Sequence, residues 1–187
     1  MKKAALALIL VTVIILGYKP DGVVGKAFPA MECEDYTGKK INIPRDTKGK
    51  YTVLGMAFSN DAEQDLKTWI NPVYNKFIGK VDASEADVFD VSTEYDIHLF
   101  FIPMFTGANQ VTAKSSKEKI KKATDPELHP YVLFYEGAKT YKEELDFEKK
   151  NIPYFFVLDK TGKIVYATSG KYDDKKLEKI IDIIEEN

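Results

Sequence analysis

The spacing of hydrophobic positions changes twice over the last third of the chain, and each change predicts a different element. Residues 154–158 form an uninterrupted aromatic and aliphatic run, which is typical of a strand buried on both faces. A turn sequence at 159–162 separates this run from a strand-like segment at 163–167, so the pair predicts a β-hairpin. Beyond Asp173, apolar residues recur at helical spacing at Leu177, Ile180, Ile181 and Ile184. The chain therefore ends in strand, turn, strand and helix.

A similar change, from a buried run to helical spacing, occurs near residue 59. Residues 51–58 predict a central strand, and residues 60–78 predict an amphipathic helix. Asn60 and Glu63 have the spacing of a capping box, in which a side chain accepts a hydrogen bond from the first turn of the helix. The junction contains three favourable N-cap residues: Ser59, Asn60 and Asp61. We expect the hydroxyl of Ser59 to cap a helix rather than to act as a nucleophile.

The middle of the chain predicts an alternation of strands and helices, which favours an α/β sheet. The predicted strands are 95–102 and 131–135, and the predicted helices are 115–124 and 141–150. Segments 79–94 and 103–130 are expected to hold the variable elements. Five lysines between positions 114 and 122 are typical of a solvated helix face.

The first 17 residues have the pattern of an export signal. Two lysines precede the apolar residues 4–17, a stretch shorter than the roughly 20 residues of a comfortable membrane span. No Ala-x-Ala cleavage site follows, so 1–17 is either a signal peptide or an uncleaved N-terminal membrane anchor. Lys2 and Lys3 favour a cytoplasmic start, with the rest of the chain outside. We expect an exported, periplasmic or other extracytoplasmic protein, with anchoring in the inner membrane through residues 4–17 as the alternative.

Length and charge limit the function further. The chain has 187 residues, of which 44% are hydrophobic, so residues 24–187 fit one domain within the usual range of roughly 100 to 200 residues. The formal net charge is −2, which gives no electrostatic reason to expect nucleic-acid binding.

Residues 151–184 resemble the closing third of a thioredoxin-like domain. The entry sequence GKAFP and the hairpin predicted after it are similar to those of secreted thiol-disulfide oxidoreductases and peroxiredoxin-like (redoxin) domains. The resemblance covers about Val24 to Ile184. It implies an α/β fold: a thioredoxin-like three-layer sandwich with a central mixed sheet, an N-terminal hairpin and inserted elements.

In that superfamily, redox cysteines lie where the first central strand meets its helix, because the helix N-terminus stabilises a thiolate. Here the junction reads SNDAEQ, and the chain has a single cysteine, Cys33, outside it. No CxxC pair and no peroxidatic cysteine occupy the site. Ile152-Pro153 resembles the pair whose proline, cis in relatives, faces the helix N-terminus beside bound peptide; the sequence leaves its cis or trans state open.

Cys33 is the only candidate thiol. Its neighbours Glu32, Glu34 and Asp35 are expected to raise its pKa by like-charge repulsion, which disfavours an activated thiolate. An incidental strand cysteine is the simpler interpretation, and a disulfide between two chains remains an alternative.

No metal or cofactor is predicted. His98, His129 and Cys33 fall in different elements without ligand spacing, and no glycine-rich phosphate loop occurs.

The segments YVLFYEG, YKEELDF and IPYFFVLDKTGKIVYATSG lie between about Tyr131 and Ile184. This part of the chain is similar to a thioredoxin-fold assembly-factor family of mitochondrial ATP synthase, whose members act as chaperones without redox chemistry. We therefore predict a redox-inactive module that binds a protein partner, with a membrane complex as one candidate. The predicted binding groove contains Ser59, Asn60, Asp61, Ile152 and Pro153. The alternative is a thiol-dependent oxidoreductase or peroxidase acting through Cys33.

Overall fold

A computed structural model describes residues 20–79, 95–105, 110–137 and 141–186. The described residues form six strands: β1 (Met31–Glu34), β2 (Lys40–Ile43), β3 (Tyr51–Ala57), β4 (Ile97–Pro103), β5 (Tyr154–Leu158) and β6 (Ile164–Ser169). They also form four α-helices: α1 (Asn60–Phe77), α2 (Gln110–Ala123), α3 (Tyr141–Glu144) and α4 (Asp174–Glu185). Short 3₁₀ helices cover Asp21–Val23, Arg45–Thr47 and Pro126–Tyr131. The predicted signal or anchor at 1–17 and most of the variable segment 79–94 lie outside the described residues.

The central sheet is mixed, as predicted. Its strand order is β4-β3-β5-β6, with β3 parallel to β4 and antiparallel to β5. β5 and β6 form the predicted hairpin, and β1 pairs with β2 in a separate antiparallel hairpin. All five residues of β5 are buried, which explains its uninterrupted hydrophobic sequence.

The predicted strand at 131–135 is realised only as isolated bridges. Tyr131, the first residue of the predicted strand, belongs instead to the 3₁₀ helix Pro126–Tyr131. Beyond it, the backbone N–H of Leu133 donates to the carbonyl of Phe101 on β4, and Phe134 exchanges two backbone hydrogen bonds with Glu34 on β1. This short segment therefore joins the N-terminal hairpin to the edge of the central sheet.

Two buried clusters cover the two faces of the sheet. On one face, Trp69 of α1 stacks on Phe155 with 4.1 Å between ring centroids, and its indole N–H donates to the carbonyl of Gly170 at 2.9 Å. On the other face, Phe156 packs against Phe28 and Phe147. Helices, sheet and hairpin thus form the predicted layered α/β sandwich.

Helix boundaries differ from the predictions in two places. α2 begins at Gln110 rather than 115, and the predicted helix at 141–150 ends after one turn. The reason is local: Asp146 adopts a φ of 57°, which stops a right-handed helix, and Phe147 turns into the core. Among the described residues, no helix is long and apolar enough to span a bilayer.

Candidate functional site

The start of α1 faces the loop that precedes β5. Ser59 is the N-cap residue, in an extended conformation, and its Oγ accepts a hydrogen bond of 3.2 Å from the backbone N–H of Ala62. The same hydroxyl donates a hydrogen bond of 2.8 Å to the carbonyl oxygen of Lys150. Helix capping by Ser59 is confirmed, whereas the predicted capping-box role of Asn60 is wrong, because Asn60 is already the first helical residue.

Aromatic packing fixes the loop that Ser59 contacts. The ring of Phe147 is buried and meets Phe58 edge to face, with 4.6 Å between centroids. The hydroxyl oxygen of Tyr154 accepts a hydrogen bond from the backbone N–H of Lys149 at 2.8 Å. These two contacts hold the loop in place beside Ser59.

The Ile152–Pro153 bond, whose state the sequence leaves open, is not cis. Among the described residues the only cis peptide bond joins Ile43 to Pro44, so Ile152–Pro153 is trans. The carbonyl of Pro153 accepts the N–H of Gly170 at 2.9 Å, which extends the pairing of β5 with β6. The carbonyl oxygen of Pro153 is thus already hydrogen-bonded within the fold.

The five predicted groove residues differ in exposure. Asn60 and Asp61 are exposed in the first turn of α1, Ser59 and Ile152 are partly buried, and Pro153 is buried. The bond from Ser59 to Lys150 brings the two halves of the predicted groove together at the same end of the inner strands β3 and β5. Binding of a partner there stays a prediction.

Cys33 lies in β1, where it points into the core with 1% of its surface exposed. Burial, with a further contribution from Glu32, raises the pKa of its thiol to about 12. The direction of this shift was predicted from the acidic neighbours, but its main cause is burial. A thiol with this pKa contains almost no thiolate at neutral pH.

Within the described residues, neither histidine lies in a cluster suited to a metal ion. Burial, together with the nearby Lys50, lowers the pKa of His98. The Nε2 of His129 lies 3.2 Å from the carbonyl oxygens of Lys121 and Thr124, at the end of α2. Throughout the described ranges, no three His, Cys, Asp or Glu side chains are grouped so that they could hold a metal.

One lysine of α2 has a structural role that the sequence pattern did not predict. The Nζ of Lys117 lies 3.2 Å from a carboxylate oxygen of Glu34 and 2.5 Å from one of Glu136, and it sits over the ring of Phe134. Burial opposes its charge, but the two carboxylates outweigh this effect and raise the pKa of Lys117. The side chain of Lys117 therefore connects α2 to β1 and to the segment at 132–136, which joins the N-terminal hairpin to the central sheet.

A cleft of about 210 Å³ between α1 and α2 was also missed. Its floor is formed at the β4 edge, by Phe101, Pro103 and Val132. Its walls are Leu66 and Ile70 of α1 and Ile120 and Ala123 of α2. The cleft depends on how far apart two helices lie, and no local sequence pattern encodes that distance.

Comparisons with known proteins agree with this fold. The sequence model of a family described as ATP10 protein matches residues 25–186. No curated protein matches the chain significantly.

Among solved structures, the exposed lipoprotein thioredoxin of Streptococcus pneumoniae is 16% identical, with a TM-score of 0.53 over 82% of this chain and 98% of that one. A candidate thiol:disulfide interchange protein DsbE from Chlorobium tepidum is 17% identical, with a TM-score of 0.53 over 84% and 94% of the two chains. The C-terminal domain of a candidate thiol-disulfide oxidoreductase from Bacteroides thetaiotaomicron is 15% identical, with a TM-score of 0.54 over 88% and 97%. These identities show the fold alone: it is thioredoxin-like, in a chain whose single cysteine cannot form a redox pair.

Proposed function

The chain belongs to the ATP10 protein family, and on this premise we propose that it is an assembly module that binds a protein partner without redox chemistry. The sequence resemblance to ATP synthase assembly factors supports the same function. We place the partner at the edge formed by Ser59, Asn60, Asp61, Ile152 and Pro153.

The observation that carries this proposal is the use made of the Ser59 hydroxyl. Ser59 lies at the strand-to-helix junction where thiol-disulfide oxidoreductases of this fold carry a cysteine. Three residues later the chain has Ala62, so neither position of a CxxC spacing that starts at Ser59 is a cysteine. The hydroxyl caps α1 and holds the loop at Lys150, so it organises this edge structurally. The exposed Asn60 and Asp61 lie beside it and are available to a partner.

The buried position of Cys33 supports the non-catalytic proposal over the thiol-based alternative. A thiol with a pKa of about 12 lacks the thiolate that attacks a disulfide or a peroxide. Assays of insulin reduction and peroxide consumption on the wild type and on Cys33→Ser should give the same background rates. A rate that disappears in Cys33→Ser would establish the alternative.

For its location, we propose that the domain lies outside the cytoplasm and that its partner belongs to a membrane complex. The basic start and the apolar residues 4–17 support this placement. A membrane-impermeant maleimide applied to intact cells should label a Lys175→Cys variant made in the Cys33→Ser background. Labelling only after lysis would instead place the domain in the cytoplasm.

Site-specific photocrosslinking in intact cells tests the binding edge. A photoreactive amino acid is placed at Asn60 or at Asn151, two exposed positions on either side of the contact between Ser59 and Lys150. The control position is Lys175, exposed on α4. We expect the first two positions to give a discrete adduct with a membrane protein, identified by mass spectrometry. Equal adduct yields at all three positions would rule out this edge.

A further inference from the structure

The cleft between α1 and α2 is apolar inside and charged at its rim. Of the residues that line it, Lys67 and Lys119 are cationic and Glu63 is acidic. Glu63 is partly buried, and burial raises the pKa of its carboxyl group, although Lys67 opposes this effect. The rim thus favours an anion on the α2 side and disfavours a second carboxylate beside Glu63.

Helix α2 extends the positive charge of this rim. It contains five lysines and one glutamate, in a chain whose formal net charge is −2. The salt bridges described for α2 all use Lys117, which is held by Glu34 and Glu136. Three exposed lysines, which we name the lysine face, line the adjoining surface: Lys114, Lys119 and Lys122. In the part of the chain that the structure describes, no ion pair joins the lysine face to a carboxylate, and Glu118 is the one acidic residue that lines the same surface.

We propose that the cleft receives an apolar side chain of a partner protein whose acidic residues pair with the lysine face. Charge complementarity determines the acidic character of the partner. The size of the cleft determines the anchor: about 210 Å³ is smaller than the roughly 300 to 1,000 Å³ of pockets for drug-sized ligands. A cleft of this size suits one or two side chains of a docked helix or extended segment.

This inference rests on the proposed function and deepens it by giving the chemistry of the partner. The cleft adjoins the edge that contains Ser59, because the backbone N–H of Glu63 donates to the Ser59 carbonyl at 2.8 Å within the first turn of α1. One partner segment can therefore contact both surfaces. A membrane surface is a poorer occupant, because lipid headgroups would use the lysines without filling the cleft.

Fluorescence anisotropy with labelled peptides tests the proposal on the full chain purified in a mild detergent. The first peptide is an acidic amphipathic helix with a leucine stripe, the second replaces the leucines by serine, and the third replaces the acidic residues by lysine. We expect the first to bind and the second to bind about tenfold more weakly or worse, because it lacks the apolar anchor. The third should not bind measurably.

Two variants locate the binding site. Ala123→Trp places a large side chain at an exposed wall position of the cleft, and Lys119→Glu with Lys122→Glu reverses the lysine face. Each should weaken binding of the first peptide about tenfold or more. Lys48→Glu with Lys175→Glu is the matched control, since it makes the same change in net charge at exposed positions elsewhere and should leave binding unchanged. Circular dichroism should show the wild-type fold in every variant.

Three results would overturn the proposal. The first is equal affinity for the leucine and serine peptides. The second is a loss of affinity in the control pair, Lys48→Glu with Lys175→Glu, as large as the loss in Lys119→Glu with Lys122→Glu. The third is unchanged affinity in Ala123→Trp together with displacement of the peptide by phosphatidylglycerol vesicles. The last result would identify an anionic membrane surface as the ligand. Crosslinks at Asn60 without peptide binding would show that the cleft is not a binding site, but they would leave the proposed function standing. Peptide binding without crosslinks would support the cleft as a binding site and count against the proposed function.

Discussion

The hydroxyl of Ser59 donates a hydrogen bond of 2.8 Å to the carbonyl oxygen of Lys150, 91 positions later in the chain. The Oγ of Ser59 also accepts a hydrogen bond from the backbone N–H of Ala62 at the start of α1. One side chain therefore caps a helix and holds the loop that leads to Pro153. The residue at the junction of β3 and α1 therefore has a structural role in this protein.

Replacement of Ser59 by alanine should destabilise the protein, because both hydrogen bonds are lost. We expect the free energy of unfolding to fall by about 1 to 2 kcal/mol, measured by urea denaturation. Ser59→Thr retains a hydroxyl and should lose less than half as much. Equal stability of the alanine variant and the wild type would show that neither bond contributes.

A thiol introduced at the N-cap should be far more acidic than the native one. In a Cys33→Ser background, the thiol of Ser59→Cys lies at the positive end of the α1 dipole, so its pKa should fall to roughly 7. The thiol of Cys33, by contrast, has a pKa raised to about 12 by burial. The pH dependence of alkylation by iodoacetamide gives the value.

The control thiol is Lys160→Cys in the same background, since Lys160 is exposed in a turn. Its pKa should stay near the ordinary value of about 8.5. Matching pKa values of the thiols at positions 59 and 160 would mean that the start of α1 does not stabilise a thiolate.

How far the sequence determines this structure depends on whether a feature is local. The order of β5, turn, β6 and α4 was predictable because each element has its own hydrophobic period and turn residues. The trans state of Pro153 was not predictable, because the cis and trans forms of a bond before proline differ little in energy. The partners of Lys117 were not predictable either, because Glu34 and Glu136 lie in other segments of the chain. The same holds for the candidate site: capping by Ser59 follows from its neighbours, but its bond to Lys150 does not.

Two aromatic residues on opposite faces of the sheet should dominate stability. Trp69 and Phe156 are both completely buried, so replacing either by alanine should lower the free energy of unfolding by about 3 to 5 kcal/mol. Trp69→Phe keeps a ring over Phe155 but loses the bond to Gly170, and should cost about 1 to 2 kcal/mol for that bond, in addition to some packing.

An alanine substitution of Val24 is the control for both variants, because 42% of the Val24 surface is exposed. Val24→Ala should change stability by no more than about 0.5 kcal/mol. A loss below about 1 kcal/mol for either alanine variant would contradict the packing described for that face.

The turn at Asp159 should make stability depend on acid pH. Its Oδ1 accepts hydrogen bonds from the backbone N–H and the hydroxyl of Thr161 and from the N–H of Lys163, at 2.7 to 2.9 Å. Burial alone would raise the pKa of Asp159, but these hydrogen bonds outweigh it and the pKa is lowered. A carboxyl group whose pKa is lowered on folding stabilises the protein fully above its unfolded pKa of about 3.9. That contribution is lost as the pH falls through the folded value.

Asp159→Ala should therefore cost about 1 to 2 kcal/mol at pH 7, and its deficit against the wild type should shrink below about pH 4. Asp35 starts the same Asp-x-Thr-Gly-Lys turn in the first hairpin, with equivalent bonds to Thr37 and Lys39, and its pKa is also lowered. We expect a smaller loss for Asp35→Ala, because that turn closes a two-stranded hairpin outside the central sheet. Urea denaturation of both variants from pH 7 to pH 2 measures the effect, and a deficit of Asp159→Ala that stays constant over this range would refute it.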